Sequence, residues 1–135
     1  MKVLLDTHIL IWVLQDDERL SEKARSIISG YGNEVFYSTI SVWEAQIKYL
    51  KKVDGFFLSG GQLNQLSRKS GFSCLPVYPE HAIALASLSY SPNAPRLHKD
   101  PFDRILICQA KTENMLFLTH DSLIPYYNEA CTVSV

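Results

Sequence analysis

The chain has 135 residues, 47% of them apolar and 20% charged, so residues 1–135 are expected to form one domain that needs no disulfide or metal to hold it together. Thirteen Lys and Arg against 14 Asp and Glu leave a formal charge of -1, so the totals carry no basic face of a constitutive nucleic-acid binder and leave room only for a locally charged cleft. Cys74, Cys108 and Cys131 are odd in number, far apart and without a C-x-x-C pair, which argues against a disulfide framework or zinc knuckle and for a reducing cytoplasm. The apolar opening from Val3 to Leu14 is broken by Asp6 and His8 and is too short to span a bilayer. Neither a signal peptide nor a membrane helix is expected, and no long-period repeat is present.

Val3-Leu4-Leu5 reads as a buried strand that stops at Asp6-Thr7, and Ile9 to Leu14 as a buried helix. Ser21 caps a helix over Glu22 to Ile28 that ends at Gly30. Val35-Phe36-Tyr37 is strand-like. Ser41, three residues before Glu44, has the form of a capping box opening an amphipathic helix from Val42 to Leu50. Asp54 to Gly61, with Gly55, Gly60 and Gly61, is expected to be a mobile loop. A helix resumes over Gln62 to Ser70, a short strand follows at Cys74 to Val77, and Pro79 to Leu88 reads as a helix with Pro in its first turn. Ser91 to Pro95 is a linker. Asp100 before Pro101 starts a helix whose stripe of Phe102, Ile105, Leu106 and Ala110 runs up to Asn114. Met115 to Leu118 is a strand ending at Thr119-His120-Asp121. Strands alternating with helices predict an α/β fold: a three-layer α/β/α sandwich with a mainly parallel sheet.

Ligand sites in such sheets form at the carboxyl ends of the strands. Asp6, Glu44, Asp103 and Asp121 are all expected at that edge. Two carboxylates about 4 Å apart repel by roughly 4 kcal/mol at an effective dielectric of ~20, so four together call for a cation. Hard oxygen donors select Mg²⁺ or Mn²⁺, and phosphodiester hydrolysis is the chemistry that fits. Each acid also has a purely structural explanation. Asp6 is a candidate N-cap, Glu44 a capping-box partner with Lys48 one turn on, Asp100 a cap, Asp103 a helix-dipole residue, and Asp121 a cap for a short helix toward Tyr126. Their convergence at one edge is what those explanations leave unaccounted for.

His8, His98 and His120 adjoin the acids. Asp6-x-His8 is similar to the opening of binuclear metallophosphoesterases, but the G-D-x-x-D and G-N-H-[DE] partners of that family are absent. The D-x-D of haloacid dehalogenases fails at His8. A histidine-containing transition-metal site is the less favoured alternative, and a metal-free ribonuclease working through paired histidines is weaker still.

Asp6-Thr7-His8-Ile9-Leu10, Ser41-Val42-Trp43-Glu44, the stretch from Asp100-Pro101-Phe102-Asp103-Arg104 to Ala110, and Thr119-His120-Asp121 together resemble the PIN domain, nearest to the VapC-type toxins of toxin–antitoxin pairs. The resemblance implies an Mg²⁺- or Mn²⁺-dependent endoribonuclease with Asp6, Glu44, Asp103 and Asp121 as its acids and Asp100 as an extra ligand or base. It further implies that Thr119 orients Asp121 or a water, with Thr7 doing the same beside Asp6. A cognate antitoxin, a homodimer and an RNA substrate are the partners it implies. Cleavage by activated water is expected to leave a 5′-phosphate and a 3′-hydroxyl. Lys48, Arg96, Lys99 and Arg104 are the candidate substrate or partner rim, whereas Trp12, Trp43 and Phe102 read as core and Phe56-Phe57-Leu58 as a partner patch or, as the alternative, a segment tucked into the core. The competing functions are a non-catalytic PIN-like module that binds RNA or protein, and a metal-dependent phosphatase of small molecules.

Overall fold

Five strands form one wholly parallel sheet in the computed structural model, which describes all 135 residues: β1 Lys2–Leu5, β2 Glu34–Ser38, β3 Ser73–Leu75, β4 Leu116–Thr119 and β5 Thr132–Ser134, in the spatial order β3-β2-β1-β4-β5. The chain builds outward from β1 through β2 to β3, then returns to the other side of β1 for β4 and β5. The strand order therefore reverses between β1 and β4, the position at which open α/β sheets form a crevice.

Successive side chains of β1 point to opposite faces, and both faces are covered. Val3 and Leu5 enter one apolar cluster with residues of α1 (Thr7–Leu14), α2 (Glu22–Ile28), α3 (Thr39–Leu50) and α4 (Gly60–Lys69). Leu4 enters a second with Phe117 of β4 and Leu106, Ile107 and Ala110 of α6 (Pro101–Thr112). Each fully buried Leu contributes about 1.5–3 kcal/mol. This is the expected three-layer sandwich. No helix is long and apolar enough to cross a membrane, and Cys74, Cys108 and Cys131 are free thiols.

The cap residues set most element starts. Asp6 caps α1 through Ile9 N–H at 2.8 Å, Ser21 caps α2 through Ala24 N–H at 3.1 Å, and Asp100 caps α6 through the amides of Phe102 and Asp103, with Pro101 at N1. The expectation for Ser41 is corrected. The chain turns into α3 directly from β2, so Ser38 is the cap, accepting from Ile40 N–H at 3.0 Å. Ser41 is thus inside the helix and Glu44 lies in its second turn, too far along to close a capping box.

The Asp54–Gly61 loop is shorter than expected because Ser59 and Gln62 make the capping box of α4. Gly60 lets that helix approach α3: a Cβ there would stand 2.8 Å from the Val42 carbonyl oxygen. Phe56 tucks into the core while Phe57 stays exposed. Only Pro79–Ile83 of the expected Pro79–Leu88 helix is α-helical, forming α5; Ala84–Ser87 tightens to a 3₁₀ turn that buries no residue, so packing does not sustain the longer helix. β5 is a short edge strand absent from the sequence reading.

Candidate metal centre

Asp6 leaves β1 with its N–H still bonded to the Leu118 carbonyl oxygen at 3.0 Å, so its position is set by the sheet itself. Asp121 leaves β4 beside it, its N–H donating to the Thr119 hydroxyl at 3.1 Å and its Oδ1 accepting from Leu123 N–H at 2.8 Å. Asp103 is at N3 of α6, and Glu44 reaches in from α3 with only 2% exposure. Asp6, Glu44, Asp100, Asp103 and Asp121 line one cavity of about 260 Å³, together with His8, Trp12 and His120. All five acids singled out from the sequence therefore meet at the switch point. The structural explanations of Asp6 and Asp100 hold as well, since each caps a helix while facing the cavity; that of Asp121 is corrected, because the short helix Ile124–Tyr126 starts from Leu123 without a side-chain cap and Asp121 only closes a local turn on Leu123 N–H.

The electrostatics are those of crowded anions. Burial pushes the Asp6 carboxyl up to about 6, against the Ile9 N–H and the Thr119 hydroxyl, and the nearby charge of Asp103 adds to the rise. Burial also raises Asp103, a hydrogen bond from His98 opposes this, and the charges of Asp100 and Glu44 reinforce it. Two basic side chains pack against the cluster. Lys48 Nζ donates to Glu44 Oε2 one helical turn away, leaving Oε1 buried without any hydrogen-bond partner. His98 Nε2 is 3.1 Å from Asp103 Oδ2 and 3.9 Å from Asp121 Oδ2. Burial disfavours the imidazolium, but Asp103, Asp121 and Asp100 outweigh it and move His98 above its ordinary value.

His98 was noted in the sequence only as a neighbour of the acids, within the less favoured histidine-containing alternative, and not among the site residues. It lies in an irregular stretch, and only its place two residues before Asp100 hints at a role. Thr119 sits as expected against Asp121. Thr7 does not: its hydroxyl pairs with that of Ser41 at 2.9 Å, tying α1 to α3. Of the rim residues, Lys48 lies over Phe56 and Phe102, 4.9 and 5.6 Å from their ring centroids, and Arg104 lies 6.0 Å from the Tyr127 ring. None of the four lines the cavity, and Arg96 and Lys99 are exposed. Trp43 is also corrected: it is 58% exposed, edge-on to Phe102 at 5.3 Å, because α3 turns that side away from the sheet.

A parallel sheet whose switch point gathers five carboxylates defines an α/β protein with an acidic pocket at the carboxyl ends of its strands. The PIN domain profile matches residues 3–128, and the chain belongs to the PIN domain family. PIN domains are generally nucleases that use divalent metals. No curated protein sequence matches the chain with significance. Among solved structures, VapBC2 from Rickettsia felis bound to a DNA fragment from their promoter is similar at TM-score 0.70 and 15% identity, over 99% of this chain and 98% of that one. FitAcB from Neisseria gonorrhoeae is similar at TM-score 0.55 and 22% identity, over 90% and 88%. FitAB bound to an IR36 DNA fragment is similar at 0.55 and 24%, over 89% and 85%. These likenesses establish the fold.

Proposed function

We propose that the chain is an endoribonuclease dependent on Mg²⁺ or Mn²⁺ and the toxin of a toxin–antitoxin pair. The observation that carries the reading is the convergence of Asp6, Glu44, Asp103 and Asp121 on one cavity at the carboxyl ends of β1 and β4. The donor set fits a divalent cation: the ligands are hard oxygens, and Glu44 Oε1, buried and unpartnered, lacks the hydrogen bond that a buried carboxylate oxygen otherwise finds. Asp6, Glu44, Asp103 and Asp121 would hold the ion, with Asp100 as an additional donor. Bound there, it would lower the pKa of a coordinated water and offset negative charge developing on a phosphoryl oxygen.

The chain's own residues supply the rest. Thr119 fixes the Asp121 backbone, His98 and Lys48 hold Asp103 and Glu44 in place, and Lys48 with Phe102 and Trp43 forms a cationic and aromatic rim suited to single-stranded RNA. Tyr49, Leu50, Val53 and Phe57 form an exposed apolar patch at the end of α3 and the loop after it, which suits a cognate antitoxin. A homodimer in the cytoplasm completes the proposal.

The test is hydrolysis of end-labelled single-stranded RNA. Cleavage is expected with Mn²⁺ or Mg²⁺, to stop with EDTA, and to be lost in Asp6→Asn. RNA left intact by the wild type while p-nitrophenyl phosphate is hydrolysed would replace this reading with a small-molecule phosphatase.

A further inference from the structure

We propose that His98 is a nitrogen donor to the metal centre, joining Asp103 and Asp121 in a mixed imidazole and carboxylate shell that favours a transition-metal ion over Mg²⁺. This rests on the reading of the pocket as a metal site and adds to it a ligand and a selectivity. His98 is 4% exposed and its Nε2 faces both acids, with the three ligand atoms all within 4.8 Å of one another. In a shell with bonds of about 2.1 Å, neighbouring donors at right angles stand about 3 Å apart and opposite ones about 4.2 Å. The separations of Nε2 from Asp103 Oδ2 and Asp121 Oδ2, 3.1 and 3.9 Å, fall within that span.

The other ring nitrogen is already held. Nδ1 lies 2.8 Å from the hydroxyl of Tyr127, which is itself buried and packed ring to ring with Tyr90 at 4.3 Å. A backbone bridge joins the same two tyrosines. A ligating imidazole whose far nitrogen donates to a fixed oxygen is the usual outer-shell arrangement at metal sites, and it sets both tautomer and ring orientation. With Nδ1–H donating to Tyr127, Nε2 presents its lone pair toward Asp103 and Asp121. Glu44 Oε1, buried and without a hydrogen-bond partner on the same pocket, is an independent sign that the cluster is built to take a cation. Imidazole adds affinity for transition metals and little for Mg²⁺, so His98 tilts the site toward ions such as Mn²⁺.

The competing role is a hydrogen bond alone, with Nε2–H donating to Asp103. His98→Gln separates the two, because a Gln amide can still donate to Asp103 but brings no imidazole nitrogen. His8 and His120 line the pocket itself, whereas His98 stands behind Asp103 and Asp121, so the three must be distinguished. The experiment is pulsed EPR of the Mn²⁺-loaded protein, read for ¹⁴N coupling, with calorimetric Mn²⁺ and Mg²⁺ affinities beside it.

Histidine coupling is expected in the wild type and in the His8→Gln, His120→Gln double variant, and to vanish in His98→Gln, whose Mn²⁺ over Mg²⁺ preference falls about tenfold. Bound Mn²⁺ without ¹⁴N coupling in the wild type, or coupling that survives in His98→Gln, overturns the inference and leaves the carboxylate site intact. No Mn²⁺ binding at all overturns the metal-site reading itself. Should His98→Gln fail to fold, the wild type and the double variant still decide.

Discussion

Lys48 neutralises only half of Glu44: its ammonium takes Oε2 and leaves Oε1 buried without a hydrogen-bond partner. Glu44 is 2% exposed at its side chain and Lys48 24%, so this is an ion pair whose acid has no access to solvent. Removing one partner of such a pair is far more costly than never having built it. Lys48→Met is therefore expected to destabilise the metal-free protein by about 3 kcal/mol, the low end of the usual range because Lys48 is partly solvated. Mn²⁺ should restore more of the melting temperature in the variant than it adds to the wild type. Equal melting temperatures for the two proteins in EDTA would show that Lys48 is a surface residue with no hold on Glu44.

The raised Asp6 carboxyl makes metal-free stability depend on pH. Its folded value is about 6 against 3.8 for the free side chain. Between those values the folded state keeps a proton that the unfolded state has released, so stability falls as pH rises through the window. Above it the full cost, about 3 kcal/mol, is in place. Asp6→Asn removes the charge and retains an acceptor for Ile9 N–H. In EDTA the variant is expected to melt several degrees above wild type at pH 7.5 and at nearly the same temperature at pH 4. The prediction fails if the two melting curves differ by the same amount at both pH values.

Much of this was legible in the sequence because it is local chemistry. Asp100-Pro101 announces a helix start wherever it occurs, and Val3-Leu4-Leu5 is apolar on both sides of a strand, which demands a covered, parallel sheet. Once the strands are placed, Asp6 and Asp121 must follow neighbouring strand ends. What was not legible is tertiary. Ser41 fits a capping pattern, yet the true cap is fixed by where β2 ends, at Ser38. His98 carries no periodic signal, because its partners Asp103, Asp121 and Tyr127 are chosen by the fold and not by spacing. β5 is three residues at an edge, too short for alternation to register. Trp43 reads as core by type, and only the orientation of α3 leaves it in solvent.

Asp103 should respond differently from Asp6. Both are buried acids in the same cluster, but Asp103 has His98 against it, so its charge is partly compensated without metal. Asp103→Asn relieves crowding and weakens that hydrogen bond, and the two effects oppose one another. Its metal-free melting temperature is expected to rise less than that of Asp6→Asn. Mn²⁺ at about 100 times its dissociation constant should stabilise the wild type by about 2.7 kcal/mol and leave the variant nearly unmoved. Scanning calorimetry with and without Mn²⁺ measures both, and an undiminished Mn²⁺ shift in Asp103→Asn would remove this residue from the ligand set.

Trp43 offers a test of the substrate rim that does not touch the acids. It is mostly exposed, packs edge-on to Phe102, and Phe102 also carries the Lys48 ammonium 5.6 Å from its ring centroid. An exposed indole beside a cation is a surface on which an unpaired base can stack, worth about 1–3 kcal/mol per base. Trp43→Ala is expected to weaken single-stranded RNA binding to the Asp6→Asn protein about tenfold, and to lower its melting temperature only slightly, since little core is lost. Binding is read by fluorescence anisotropy at fixed salt, because the Lys48 contribution is ionic-strength dependent. If affinity is unchanged while the melting temperature drops sharply, Trp43 is a packing residue of the α3–α6 contact and the RNA runs elsewhere.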